Sequence, residues 1–162
     1  MTLTATTKSA DDTRELAAAL AAVVQPGDTV LLAGDLGAGK TAFTQGFGQA
    51  LGAAGPITSP TFTLLRHYTD ASPTLLHADV YRVEHLQEII DLGLSELLDE
   101  GAVAVVEWGD VAAPVLAPDF LEIRIEFGGE SDDERRFLFR PVGPRWGARM
   151  GAVGRAVERW TT

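Results

Sequence analysis

The stretch GDLGAGKT at residues 34–41 predicts the fold of this 162-residue chain. It has the P-loop pattern, in which a glycine is followed by four variable residues and then by Gly-Lys-Thr. Glycines let backbone amides turn toward phosphate oxygens, the lysine reaches the outer phosphates and the threonine hydroxyl binds Mg²⁺. The pattern therefore predicts a nucleotide site formed by Gly34, Asp35, Leu36, Gly37, Ala38, Gly39, Lys40 and Thr41.

The residues on either side of this stretch support the same interpretation. The apolar run TVLLA before it is typical of a buried strand, and AFTQGFGQAL after it has a helical pattern, which is the context that a P-loop requires. A guanine-specific pocket would need an Asn/Thr-Lys-x-Asp stretch. The nearest approach, Thr7-Lys8-Ser9-Ala10, has its acid one position late, at Asp11. We therefore expect adenine as the base and ATP as the nucleotide.

Strand-like and helix-like segments alternate along the chain. Strands are predicted at residues 2–6, 29–33, 62–68, 74–78, 102–106, 120–127 and 136–140. Helices are predicted from a cap at Ser9 to residue 24, at 41–51, at 86–98 with an interruption at Gly93, and from Trp146 onward. This alternation predicts an α/β fold, a P-loop NTPase-like three-layer sandwich with a mostly parallel central sheet. The turn GGESDD predicts an antiparallel hairpin toward one edge of that sheet.

Composition sets the broad class of the protein. Hydrophobic residues make up 46% and charged residues 22%, as in a globular protein, and no linker divides the chain, so we expect one domain over residues 1–162. The net charge of −10 disfavours strong binding to bare nucleic acid, so a role in nucleic-acid metabolism would involve a protein partner. No apolar run approaches the roughly 20 residues that a membrane helix needs, and no signal-like segment or cysteine is present, so we predict a cytoplasmic protein without a membrane contact.

Two predicted strands end in an acidic residue. TLLHAD ends at Asp79, and AVAVVE ends at Glu107. Neighbouring parallel strands would carry both acids to the edge of the sheet where the P-loop lies. We expect one carboxylate to hold Mg²⁺ and the other to orient the attacking water, with Lys40 as the third catalytic residue; a surface position or a helix cap is the alternative for either acid. His77 is interpreted as a partly buried packing residue, with a hydrogen bond to Asp79 as the alternative.

The segment ITSPTF, residues 57–62, lies between the P-loop and the two acids. Its position corresponds to a switch segment, in which the hydroxyls of Ser59 or Thr61 would contact the γ-phosphate. An ordinary Ser-Pro turn is the alternative for the same residues.

The motifs GDLGAGKT, SPTF, HADVYR and EWGD follow one another in this order, and with them the chain resembles the bacterial TsaE family. Its members are the ATPase components of tRNA threonylcarbamoyladenosine biosynthesis. The resemblance extends from about residue 13 to residue 110. It implies that Thr41 and Glu107 hold Mg²⁺. It also implies that Thr61 belongs to the switch and that Asp79 is needed for hydrolysis.

The resemblance further implies two protein partners of sugar-kinase-like fold, which attach threonylcarbamoyl to the adenosine beside the anticodon. ATP hydrolysis would reset that assembly. We therefore expect the isolated chain, without its partners, to hydrolyse ATP slowly. Two positions depart from the family pattern. Ala42 replaces a frequent second threonine, so it can contact the nucleotide only through its amide, and Gly109 stands where the family often has proline.

Two other classes of protein also use a P-loop. A small-molecule kinase needs an acceptor pocket and an arginine-bearing lid. Arg135, Arg136 and Arg140 instead lie in an alternating stretch that is typical of a strand. A nucleotide-dependent binding module with little turnover would keep the P-loop and would not need Asp79.

Overall fold

The computed structural model describes residues 2–35, 37–58, 65–79, 93–107 and 119–161. Within these ranges seven strands form one sheet. The strands are β1 (Leu3–Thr7), β2 (Thr29–Gly34), β3 (Leu65–Tyr68), β4 (Leu75–Asp79), β5 (Val103–Glu107), β6 (Phe120–Phe127) and β7 (Arg135–Val142). The helices are α1 (Ala10–Ala21), α2 (Lys40–Ala50), α3 (Leu94–Asp99), α4 (Pro144–Gly147) and α5 (Met150–Ala156), with a 3-10 turn at Glu158–Trp160.

The sheet confirms the predicted α/β arrangement. Its strand order is β1-β7-β6-β2-β5-β4-β3, and the four central strands run parallel to one another. The predicted hairpin is β6 and β7, and β1 adds to its outer side as one antiparallel edge. At the opposite edge β3 is antiparallel to β4. Because the central strands are parallel, the ends of β2, β4 and β5 meet at the same edge of the sheet.

Both faces of the sheet are covered by helices, which confirms the three-layer prediction. Along β2 the side chains alternate: Val30 and Leu32 join the core shared with α1, α2 and the C-terminal helices, and Leu31 joins the core shared with α3. Full burial of a large apolar side chain stabilises the fold by about 1.5–3 kcal/mol. Among the described residues, all but one of the largest fully buried side chains lie on the first face, including Trp146, Phe43, Phe47, Phe137 and Phe139; the exception is Leu76, on the face of α3.

Helix α1 begins at the predicted cap. The Ser9 hydroxyl oxygen accepts a hydrogen bond of 3.0 Å from the Asp12 amide, which satisfies one of the amides at the helix start. The Asp12 carboxylate in turn accepts from the Lys8 amide, one residue earlier than in the usual capping box. The helix ends at Ala21, three residues before the predicted end, and the chain then turns toward β2.

The C-terminal segment differs from the prediction of one continuous helix. The five residues predicted to share one face are all buried, namely Trp146, Met150, Val153, Val157 and Trp160. The backbone of Arg149 leaves the helical region between α4 and α5 with φ −102° and ψ 4°. Glycines at 147, 151 and 154 lower the intrinsic helix propensity of this segment. Burial of the apolar face therefore holds the segment in place, although its backbone is broken into short turns.

Helix α3 confirms the described part of the segment predicted to be helical at 86–98. It begins at Leu94, directly after Gly93, whose φ of 73° is left-handed. This confirms the predicted interruption at Gly93, because a left-handed residue cannot continue a right-handed helix. The prediction for residues 86–92 lies outside the described residues.

Candidate nucleotide-binding site

The glycine-rich loop follows the last residue of β2. Gly34 has φ 151°, and a Cβ at this position would lie 2.5 Å from the Ile125 carbonyl oxygen of β6, so only glycine fits. Gly37 and Gly39 have φ values of 81° and 114°, and a Cβ at either would meet nothing within 4 Å. These two glycines are therefore required by the backbone path and leave open space in front of the loop. Leu36 lies outside the described residues.

Helix α2 begins where the loop ends. Gly39 is its N-cap and makes no side-chain capping bond, and the Phe43 amide makes a hydrogen bond of 3.0 Å to the Gly39 carbonyl. The amides of the first turn, including those of Thr41 and Ala42, precede this bond and so have no acceptor within the helix. They lie at the positive end of the helix dipole, which favours an anion.

The Lys40 side chain folds back onto the first residues of the glycine-rich loop. Its ammonium group donates to the carbonyl oxygens of Gly34 at 2.8 Å and Asp35 at 3.0 Å, and the residue is only 6% exposed. Burial lowers the pKa of Lys40 from its usual value, and nearby carboxylates, led by Glu107 and then Asp79, oppose this shift. The ammonium group therefore lies at the end of β2, where its charge interacts with both predicted catalytic acids.

Asp79 and Glu107 are direct partners across the parallel strands β4 and β5. Glu107 is 2% exposed and is also opposite Leu32 of β2, whereas Asp79 is half-buried. The structure thus brings both acids to the edge of the sheet where the loop starts. Both acids were predicted to end neighbouring strands, and this placement is confirmed.

His77 makes a contact that the sequence analysis did not assign. Its Nε2 lies 2.7 Å from Oε2 of Glu107, and the histidine side chain is fully buried. The alternative prediction was a hydrogen bond to Asp79, on the same strand. The partner is instead on the neighbouring strand, β5. His77 is paired with Val105 in the strand register, and Glu107 lies two residues further along β5 on the same face of the sheet. The prediction of a packing residue is confirmed in that the imidazole ring is buried. It did not include the contact that Nε2 makes with Glu107.

The donor groups fit Mg²⁺ held together with a nucleotide. Thr41 lies in the first turn of α2, and Glu107 supplies a carboxylate at the neighbouring strand end. Among the residues that the structure describes, no group of three or more His, Cys, Asp or Glu side chains could hold a metal ion alone. Mg²⁺ commonly uses one or two carboxylates plus substrate phosphates and waters, so the donor set suits a shared site.

A second contact that the sequence analysis missed connects β7 to the loop. Arg135 donates from Nε to the Ala38 carbonyl at 3.0 Å, and its guanidinium lies 4.6 Å from the ring centre of Phe127. Arg136 and Arg140 pair instead with glutamates of β6, as side chains of a strand pair would. No local signal separates Arg135 from these neighbours, because the loop that it contacts is 97 residues away in sequence.

The switch prediction at Ser59 and Thr61 lies outside the described residues. Ile57, the first residue of the 57–62 segment, is described and is held in place. The side-chain Nε2 of Gln45, on α2, donates a hydrogen bond to the Ile57 carbonyl at 3.0 Å. The side-chain Oε1 of Gln45 accepts one from Nε of Arg14, on α1, at 3.1 Å. The segment therefore starts from a fixed point beside the P-loop helix.

The described helices include none that is long and apolar enough to cross a membrane.

The sheet order, the two helical layers and the loop between β2 and α2 define an α/β protein of the P-loop NTPase-like class. The family model described as "Threonylcarbamoyl adenosine biosynthesis protein TsaE" matches residues 7–137. The chain therefore belongs to the TsaE family, whose members take part in tRNA threonylcarbamoyladenosine biosynthesis.

Individual relatives agree with this assignment. The chain is 43% identical over 140 residues to the TsaE protein of Bacillus subtilis, which covers 86% of each sequence. It is 41% identical over 138 residues to that of Streptomyces coelicolor, covering 82% of this chain and 93% of the relative. The crystal structure of YdiB from Bacillus subtilis superposes with a TM-score of 0.79 at 37% identity, covering 96% of this chain and 95% of that one.

Proposed function

We propose that this chain binds ATP with Mg²⁺ and hydrolyses it in support of threonylcarbamoyl modification of the tRNA adenosine beside the anticodon. The observation that carries the proposal is that a cation, the start of a helix and two carboxylates meet at one edge of the sheet. The Lys40 ammonium, whose charge interacts with Glu107 and Asp79, lies at the start of α2 beside an open glycine-rich loop. A cation, a helix start and two carboxylates in one place are the parts that phosphoryl transfer uses.

The loop and α2 would hold the phosphates. The amides from Gly37 to Ala42 can donate to phosphate oxygens, and the helix dipole adds a favourable field. Lys40 now donates to two neutral carbonyl oxygens. A phosphate oxygen is a stronger acceptor than these, so Lys40 would exchange the carbonyl contacts for the outer phosphates when ATP binds.

The two acids would have different roles because their surroundings differ. Glu107 is nearly fully buried and would hold Mg²⁺ together with the Thr41 hydroxyl. The metal would neutralise charge that develops on the phosphates. Asp79 is more exposed, so water can reach it from solvent, and it would orient the water that attacks the γ-phosphorus.

The proposal includes protein partners and a cytoplasmic location. The net charge of −10 disfavours strong direct binding of tRNA. We therefore assign tRNA binding to the two partner proteins of sugar-kinase-like fold that the family resemblance implies. In this arrangement the isolated chain hydrolyses ATP slowly, well below the roughly 10 per second of a typical enzyme.

The alternative functions gain no support from the site. Arg136 and Arg140 pair with strand glutamates, and Arg135 contacts the Ala38 carbonyl of the loop from strand β7, so none of the three lies on an inserted kinase lid. A binding module without turnover would not require a half-exposed carboxylate such as Asp79 beside the phosphate loop.

Calorimetric titration with ATP and a phosphate-release assay test the proposal. We compare the wild type with Lys40→Met, and with Lys8→Met as a control that removes the other, exposed lysine. Lys40→Met should weaken ATP binding by about 10- to 100-fold or more, because a charge-assisted hydrogen bond contributes about 1.5–3 kcal/mol. Lys8→Met should bind as the wild type does. Equal ATP affinity in all three proteins would overturn the assignment of the site.

The partner requirement is tested with purified proteins. Phosphate release is measured for this chain alone and then with the two tRNA-modifying proteins added. We expect the rate or the assembly of the complex to depend on ATP. Bound ATP with no complex and no stimulation would remove the tRNA-modification part of the proposal and leave a nucleotide-binding protein of another function.

A further inference from the structure

The buried contact between His77 and Glu107 has no role in the function proposed above. His77 is fully buried on β4, and Glu107 is 2% exposed at the end of β5. Placing a carboxylate in such a site carries a large desolvation cost unless hydrogen bonds compensate for it. The bond of 2.7 Å from the imidazole is short and well placed to provide part of that compensation.

The chemistry of the pair sets the direction of the hydrogen bond. A carboxylate that binds Mg²⁺ does so in its ionised form and only accepts hydrogen bonds, so in the proposed complex Nε2 of His77 is the protonated nitrogen and donates a hydrogen bond to Oε2 of Glu107. Nδ1 of the same ring is buried and has no hydrogen-bond partner among the described residues. A neutral imidazole with its proton on Nε2 therefore satisfies the donor requirement of this site.

Strand register makes this contact specific. Along β4, His77 and Asp79 point to the same face of the sheet, the face that carries α2. Glu107 is paired with Asp79 and lies diagonally from His77 across the two strands. His77 is thus the side chain directly behind the pair of acids, on the side away from the strand ends.

Holding one oxygen restricts the carboxylate as a whole. A glutamate side chain rotates freely about its last bond when it is solvated, and this freedom must be lost when the group binds a cation. With Oε2 held by His77, the plane of the Glu107 carboxylate is set before any cation arrives. Hydrogen bonds of this kind to metal ligands typically change metal affinity or activity by about 10- to 100-fold when they are removed.

We infer that His77 is a positioning residue that orients the Glu107 carboxylate for Mg²⁺ in the nucleotide complex. This inference rests on the proposed function, since it takes Glu107 as a ligand of the metal. It differs from a purely structural role in one respect. A structural histidine would affect stability alone, whereas a positioning histidine would affect the metal dependence of nucleotide binding.

The test uses two nearly isosteric replacements. His77→Gln keeps an amide donor that reaches about as far as Nε2, and His77→Met fills the same space without a donor. A non-hydrolysable ATP analogue is titrated by calorimetry first in EDTA and then at increasing Mg²⁺. Mn²⁺ is titrated into the same complexes and followed by electron paramagnetic resonance, which reports the metal without any need for turnover.

We expect all three proteins to bind the analogue equally in EDTA. The Mg²⁺ concentration that gives half of the metal-dependent tightening should rise about 10- to 100-fold in His77→Met and stay within about threefold of the wild type in His77→Gln. Equal Mg²⁺ and Mn²⁺ dependence in His77→Met and the wild type would overturn the inference and leave the proposed function intact. A wild type that binds no analogue at all would instead overturn the proposed function together with the inference.

A third variant covers the case in which His77→Met does not fold. His77→Asn keeps a polar amide but is one bond shorter than His77→Gln, so its donor cannot reach Oε2. The inference then requires weaker Mg²⁺ binding in His77→Asn than in His77→Gln. The same Mg²⁺ dependence in both folded variants would contradict it.

Discussion

Arg149→Met should destabilise the protein without affecting the proposed nucleotide site. Arg149 makes a bidentate pair with Asp28, with nitrogen–oxygen distances of 2.7 and 2.6 Å, and it also donates to the Val23 carbonyl at 3.0 Å. Its guanidinium lies over the ring of Trp146 at 4.1 Å. The pair attaches the C-terminal segment to the start of β2, and it is buried, since the Asp28 side chain has no exposed surface.

The expected magnitude follows from what the substitution leaves behind. Removal of one partner from a buried ion pair costs about 3–5 kcal/mol, because the remaining charge is uncompensated. Asp28 would still accept a hydrogen bond from the Gln25 backbone amide at 2.6 Å and would keep its ion pair with Arg145, at 3.0 Å. Arg145 is 41% exposed, so its pair contributes little, and we place the loss at about 3 kcal/mol. For a chain of this length that loss lowers the Tm by roughly 6–12 °C.

Thermal and urea unfolding measure this change, with Arg155→Met as the matched control. Arg155 is an exposed arginine of α5, the helix that begins directly after Arg149, and its replacement should change the free energy of unfolding by less than about 0.5 kcal/mol. Asp28→Asn combined with Arg149→Met should recover part of the loss, because no charge then stays buried. If Arg149→Met costs no more than Arg155→Met, the reasoning about the buried pair is refuted.

Nucleotide affinity provides an independent control for the same variant. Asp28 precedes β2 and Gly34 ends it, so the two residues are separated by about 20 Å of extended chain. ATP binding measured well below the lowered Tm should therefore equal that of the wild type. A loss of affinity under these conditions would show that the C-terminal segment also shapes the phosphate loop.

Three further predictions concern the site. Gly34→Ala should lower both stability and ATP affinity, because its Cβ would lie 2.5 Å from a backbone oxygen. The control Gly129→Ala places its Cβ in open space and should leave both quantities unchanged in unfolding and binding assays. Arg135→Gln should weaken ATP binding by about 3- to 10-fold through loss of its bond to the loop, and calorimetry of Arg136→Gln, an exposed neighbour outside the loop contact, should give the wild-type value. Glu107→Gln should bind ATP in EDTA but lose Mg²⁺-dependent phosphate release; release at the wild-type rate would rule out its role at the metal.

Local patterns predicted most elements of the fold because their causes are local. The glycines of the loop, the cap at Ser9 and the apolar runs of β2 and β5 act within a few residues of the chain. Backbone conformation and hydrophobic periodicity of this kind are visible in a short window. The prediction of one continuous C-terminal helix was wrong. Hydrophobic periodicity indicates which residues become buried, but it does not indicate where the helical backbone is interrupted.

Short stretches of sequence are enough to predict that a glycine-rich loop lies between a strand and a helix, and that Asp79 and Glu107 end strands. Which side chains those groups contact depends on how distant parts of the chain pack together. The bonds from His77 to Glu107, from Arg135 to the loop and from Arg149 to Asp28 join residues 30, 97 and 121 positions apart. Each depends on strand order and register, which are set when the whole sheet packs against its helices. No local stretch of the chain contains that information, because the free energy that selects the register comes from contacts between distant segments.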